Sequence, residues 1–142
     1  MDSIIVDDSR YPLLFVTFHG LPSEDEFERY LVRIDEIRIQ RGGVTATIMD
    51  ATRSRGATPK QRRRQAEWLK SNFAVLERTS AGTAFVIDSA IVRGVLTAIL
   101  WVQPMPGPYT IVATVGEAER WAIANLSQRG LKVPRGPAPL SP

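Results

Sequence analysis

Hydrophobic positions follow two alternating rhythms along the chain. Residues 13–19, 44–49, 84–87 and 109–115 are short apolar or alternating runs rich in β-branched residues, which predict strands. A further short run at 3–6 precedes Asp7-Asp8-Ser9-Arg10, which is turn material, so 3–6 and 13–19 predict an antiparallel hairpin with a slightly long loop. Pro12 stands at the start of the second strand, where a missing amide does least harm.

Helical spacing fills the intervals. Ser23-Glu24-Asp25-Glu26 is a capping box with its acids in the first turn, and Phe27, Tyr30, Leu31, Ile34 and Ile37 make one apolar face up to about Gln40. Gly42-Gly43 stops that helix. Thr58-Pro59-Lys60-Gln61 starts the next, whose stripe of Ala66, Leu69, Phe73 and Leu76, with Trp68 beside it, predicts a helix to about Arg78. Residues 79–82 read as a turn. Residues 90–103 are apolar almost all round, the pattern of a helix that is central or lies against another chain, and Ile91, Val95, Ile99 and Trp101 make its candidate homodimer face. The proline-rich stretch 103–108 ends it. Gly116 and Glu117 open a final helix with Ala118, Trp121, Ala122 and Leu126 on one side. Residues 1–129 are expected to form one domain, and 130–142, rich in proline and glycine, a disordered tail.

The expectation is therefore an α/β domain with a mostly parallel sheet of about five strands, an antiparallel N-terminal strand and about four helices. Its centre is 44–64: a buried strand ending at Asp50, a polar loop at 51–57, and a helix start at Thr58. Ligands and partners of open α/β sheets bind beyond the carboxyl ends of the strands. Asp50, Thr52, Ser54 and Thr58 gather there as a candidate phosphosite or partner contact, a set of hydroxyls and one carboxylate beside a helix N-terminus. Asp50 and Thr58 also have an ordinary use, satisfying loop and helix amides.

Charge adds a second signal. Residues 1–36 hold nine acids and three bases, whereas 37–142 hold six acids and fifteen bases, a dipolar chain of net charge +3. Arg53, Arg55, Lys60, Arg62, Arg63 and Arg64 form a basic run without an acid, suited to an acidic partner surface or simply to a solvated helix face. No aromatic residue interleaves it, which makes nucleic acid an unexpected partner. The absence of cysteine excludes disulfides and thiolate chemistry, and the single histidine, His19, excludes a His-cluster zinc site. Asp50 and Asp88 repeat at strand ends, yet no nucleophile, metal ligand or oxyanion donor accompanies them, so neither an enzyme nor a cofactor is expected, and Asp88 or Ser89 reads as a helix cap. The common phosphate-loop, dinucleotide and hydrolase motifs are missing. The acidic start has no basic n-region and the longest apolar run, 95–102, is far too short to span a bilayer, so a cytoplasmic protein is expected.

The order of elements resembles the STAS domain family, which includes the anti-sigma-factor antagonists and the SpoIIAA-like proteins, over roughly residues 3–128. AFVIDSAIVRGVLTAILW at 84–101 resembles the family's strand, short loop and Arg-containing apolar helix, and TVGEAERWAIANL at 114–126 its closing strand and helix. The resemblance implies a non-enzymatic regulatory domain that contacts an anti-sigma factor or kinase-like protein through 50–64, with phosphorylation at Thr52, Ser54 or Thr58 as its switch. The family's D-S-S-G arrangement is replaced here by a longer, arginine-rich loop. Some SpoIIAA-like proteins also resemble SEC14-like carriers, which implies as the alternative a small-molecule or lipid cavity, with Trp68, Phe73, Trp101 and Trp121 as candidate lining.

Overall fold

Each strand of the sheet pairs with its neighbours in sequence. The computed structural model, which describes residues 3–135, runs β1 (Ile4–Arg10), β2 (Leu13–Gly20), α1 (Glu24–Arg41), β3 (Thr45–Ser54), α2 (Pro59–Ser71), α3 (Phe73–Thr79), β4 (Ser80–Val86), α4 (Ala90–Val102), β5 (Tyr109–Val112) and α5 (Val115–Gln128). The strand order is β1-β2-β3-β4-β5, with β1 antiparallel to β2 and the remainder parallel. This is the expected mixed sheet and fold class.

Crossovers of one hand, in a sheet that grows in one direction, set their helices on one face. On that face α1 and α2 pack Phe27, Tyr30, Leu31, Ile34, Trp68 and Leu69 against Val16. The opposite face is covered by α5, with Leu131 and Val133 beyond it also packed there. There Leu13, Ala46, Ile48, Ala84 and Val86 meet Ala118, Ala122 and Leu126, all buried. The alanines on both sides let helix and sheet approach closely.

Both capping boxes form. Ser23 Oγ accepts from the Glu26 amide at 3.1 Å, and Thr58 Oγ1 accepts from the Gln61 amide at 3.0 Å while Gln61 Oε1 accepts from the Thr58 amide at 3.0 Å. The Ser3 amide donates to Glu26 Oε2 at 2.7 Å, and chiefly that bond lowers the Glu26 pKa below the usual carboxylate value.

Besides the end of β3, described below, four boundaries differ from the sequence reading. β1 runs through the expected turn at 7–10, because its polar residues alternate along a sheet edge and a bulge between Asp7 and Arg10 absorbs them. β4 begins at Ser80, directly after α3, and carries Gly82 inside it at φ +153°. β5 ends at Val112, and Thr114 caps α5 through the Glu117 amide at 3.2 Å. The expected single helix from Thr58 to Arg78 is broken at Asn72, whose Nδ2 donates to the Trp68 carbonyl at 2.9 Å. An asparagine side chain that takes a backbone partner competes with the helix ladder. The helices therefore number five among the described residues.

Of the segment 130–142, residues 136–142 lie outside the described residues. Leu131 and Val133 pack against the core beneath α5, and the Pro134 carbonyl accepts from Arg10 Nε at 3.2 Å. No helix among the described residues is long and apolar enough to cross a membrane.

Candidate functional site

The expected polar loop is largely strand. β3 continues past Asp50 because β2 is long enough to hold it: His19 pairs with Arg53 and Gly20 with Ser54. The loop proper is 55–58. Asp50 Oδ1 accepts from the Thr52 hydroxyl at 2.8 Å and from its amide at 3.1 Å. Ser54 Oγ accepts from the Gly56 amide at 3.0 Å. Thr58 Oγ1, besides capping α2, donates to Glu24 Oε1 at 3.1 Å. The four candidate residues thus stand at the carboxyl end of the central strand and at one helix start, and the hydroxyls of Thr52 and Thr58 are each bonded to a carboxylate. Asp88 is exposed, and α4 is capped by Ser89, whose hydroxyl accepts from the Val92 amide at 3.4 Å.

The basic run divides. Arg64 Nε reaches Glu28 on α1 at 2.8 Å, and Arg62 donates to the Ala57 carbonyl at 2.8 Å. Arg53, Arg55, Lys60 and Arg63 stay exposed and form no ion pair among the described residues. They make a cationic collar around Ser54 and the start of α2.

Beneath that collar lies a cavity of 170 Å³ between the sheet and the helices α1, α2 and α4. α4 packs on α2 and meets the sheet through Val92 and Leu96, which lie against Ala51, Phe85 and Ile87. Only Val92 and Leu96 of α4 are buried. Val95, Ile99 and Leu100 look into the cavity, and Val95 Cγ2 stands 3.8 Å from where Gly56 would carry a β-carbon, closing the rim. The expected homodimer face is therefore split. Val95 and Ile99 turn inward, whereas Ile91 and Trp101 point out at 72% and 88% exposure, with Val102 beside them at 72%.

The lining is mostly apolar: Leu14, Phe18, Phe27, Ile34, Met49 and Phe85 are among it. Of the four aromatic residues expected to line a cavity, only Trp68 does. Trp101 projects from the surface, and Trp121 lies over Gly82 on the α5 face. The polar lining was not foreseen. Gln61 is fully buried, and its Nε2 donates to the Pro22 carbonyl at 2.8 Å. Tyr30 donates to Gln65 Oε1 at 3.3 Å, and burial pushes its phenol pKa up. Among the described residues no group of three His, Asp or Glu side chains is placed to hold a metal.

No family model and no curated protein matches this sequence. Solved structures do. The anti-sigma factor antagonist SpoIIAA, in its unphosphorylated form, superposes with a TM-score of 0.58 at 19% identity, covering 90% of this chain and 99% of that one. An uncharacterised DUF3478-family protein with a SpoIIAA-like fold from Shewanella loihica PV-4 superposes with a TM-score of 0.58 at 12% identity, over 84% of this chain and 91% of that one. The fold is SpoIIAA-like. At these identities the likeness speaks for the fold and leaves the site to its own chemistry. In this SpoIIAA-like chain the sheet-end loop and the cavity share residues, because Ser54, Gly56 and Ala57 lie on the cavity wall. The sequence held one signal for the cavity: threonines at 45, 47 and 83, each on a strand position that should face the helices.

Proposed function

We propose that this domain binds a small apolar molecule in the cavity under α4. The observation that carries this reading is the 170 Å³ apolar space beside a helix that buries only two of its side chains. Well-packed interiors leave few voids larger than a water molecule. An apolar cavity of about 150 Å³ is enough to take benzene. The volume here favours a ligand of that size, and a longer one requires α4 to move outward. Benzyl alcohol, which is uncharged, is the first probe. Saturating it should raise the melting midpoint, since a ligand at a hundred times its Kd adds about 2.7 kcal/mol. Ala51→Phe, on the sheet wall of the cavity, should fill the space and abolish that shift while the protein stays folded. If benzyl alcohol, toluene and benzoate all leave the wild-type midpoint unchanged, the reading fails.

The cationic collar supports a second reading: docking of an acidic protein surface, an anti-sigma factor or kinase-like partner, with phosphorylation as the switch. The geometry favours Ser54 over its neighbours. A phosphate on Thr52 would face Asp50, and one on Thr58 would face Glu24. Two like unit charges about 4 Å apart cost about 1 kcal/mol even in water, and more near a protein. Ser54 has Arg53 and Arg55 beside it in sequence and the Gly56 amide as a donor. In affinity capture from the native host's lysate, wild-type protein should retain such a partner and the folded Thr52→Ala, Ser54→Ala, Thr58→Ala triple variant should lose it. Equal retention would remove the loop from this reading.

A further inference from the structure

Polar groups line the cavity at both ends, and those at the strand ends, Ser54 and Gln61, are already hydrogen-bonded to backbone. Thr45 and Thr47 of β3 share the face that continues upward with Met49 and Ala51. In the parallel ladder Thr45 lies opposite Ser80 and Thr47 opposite Thr83, while Met49 lies opposite Phe85. From the strand starts toward the strand ends, the wall therefore passes from four hydroxyls to methionine, phenylalanine and alanine. Thr45 and Thr83 are each 7% exposed. None of the four hydroxyls forms a side-chain hydrogen bond with a protein group among the described residues. No fully enclosed side-chain oxygen is left unpaired there, so these hydroxyls open onto the cavity space. Burying a hydroxyl without a partner is costly.

A cation stands at the strand-start end. Arg38 lies in the last turn of α1, which three residues join to the start of β3, and it lines the cavity. Its side chain is only 16% exposed, and its guanidinium lies 5.8 Å from the Trp68 ring centre. Its nearest carboxylate is Asp35 at 4.0 Å, too far for a hydrogen bond, and that carboxylate already accepts from Trp68 Nε1 at 3.1 Å. A guanidinium has five donors and no acceptor. Those of Arg38 are spent on no protein group among the described residues. The carboxyl end of α1 contributes about half a negative charge here. The full charge of Arg38 outweighs it.

We infer that the cavity takes a small monocarboxylic acid. Arg38 and the hydroxyls of Thr45, Thr47 and Thr83 hold its carboxylate, and its apolar body, of benzene scale, extends between Met49, Phe85 and α4. This rests on the apolar-ligand reading above and deepens it. A planar carboxylate meets both kinds of donor at once: it accepts two bonds from a guanidinium fork and further bonds from hydroxyls. An amine would bring donors to donors. An alcohol would satisfy the threonines and leave the guanidinium unpaired.

The test is titration calorimetry with benzoate and with benzyl alcohol, on wild-type protein and on Arg38→Met, which keeps an apolar stem over Trp68. Wild-type protein should bind benzoate about tenfold more tightly than benzyl alcohol, the discrimination expected of one charge-assisted, desolvated contact. Arg38→Met should lose that preference while binding benzyl alcohol as before. Thr83→Val should weaken benzoate alone, and it provides a second variant should Arg38→Met fail to fold. Equal or tighter binding of benzyl alcohol by the wild type would overturn the inference and leave the apolar-ligand reading standing; water would then be the partner of the hydroxyls. If neither molecule binds, the inference fails, and the apolar-ligand reading fails with it when toluene too leaves the melting midpoint unchanged.

Discussion

Gly82→Ala is expected to lower the stability of the folded domain by about 3 kcal/mol, the sum of an overpacking and a backbone-strain penalty. Gly82 sits inside β4 at φ +153°, a conformation that side chains rarely adopt. The Trp121 ring lies flat over it. An added β-carbon would stand 2.7 Å from Trp121 Cζ3 and 2.9 Å from Asn125 Nδ2, with Cη2 closer still. The tryptophan ring cannot stay where it is. Nor can Asn125, whose Nδ2 donates to the Ala81 carbonyl at 3.1 Å. Urea unfolding should show a lower midpoint at unchanged slope. In a Trp121→Ala background the ring clash disappears while the Asn125 contact remains, so the same substitution should then cost about 2 kcal/mol, and the difference reads the coupling to the ring directly. A loss below about 1 kcal/mol in the wild-type background would mean that the ring is not held where it is described.

Gln61→Leu should cost about as much, about 3 kcal/mol, by a different route. The side chain is fully buried and bonds two backbone groups from separate elements, the Pro22 carbonyl before α1 and the Thr58 amide before α2. Leucine keeps the volume and leaves both groups orphaned. Each unpaired buried polar group costs about 1–3 kcal/mol. Thr58→Ala removes only the exposed half of the same capping box, and about 1 kcal/mol is expected for it. Chemical denaturation of the two variants side by side separates the two roles. Should Gln61→Leu prove as mild as Thr58→Ala, cavity water has taken over both bonds.

Elements governed by near neighbours were legible before the structure. The capping boxes at Ser23 and Thr58 depend on residues three apart, and the stripe from Phe27 to Ile37 on one helix face, so short windows of sequence contain everything they need. β3 was cut short at Asp50 because Arg53 and Ser54 become strand only through pairing with His19 and Gly20, more than thirty positions earlier. The break at Asn72 depends on which carbonyl a single amide chooses. For the loop candidates, the partners of their hydroxyls, Asp50 and Glu24, were not foreseen. The cavity was the least legible feature. Thr45, Thr47 and Thr83 look like ordinary strand formers, and whether a helix lies against them or stands off cannot be read from their spacing. Arg38 was not singled out, because nothing in its sequence neighbourhood shows that its side chain is only 16% exposed.

The two faces of the sheet are completed at different times as the chain emerges from the ribosome. Each strand pairs with one already made, and α1, α2 and α4 are delivered to their face in step with it. The other face, Leu13, Ala46, Ile48, Ala84 and Val86, waits for α5, residues 115–128. Synthesis at about 5–20 residues per second leaves that apolar surface bare for seconds after the first three strands have formed. During that interval a nascent chain has an exposed sheet with a ready-made sticky side, and chaperone demand should be greatest there. A chain truncated before residue 115 should accumulate as aggregate rather than as a soluble fragment.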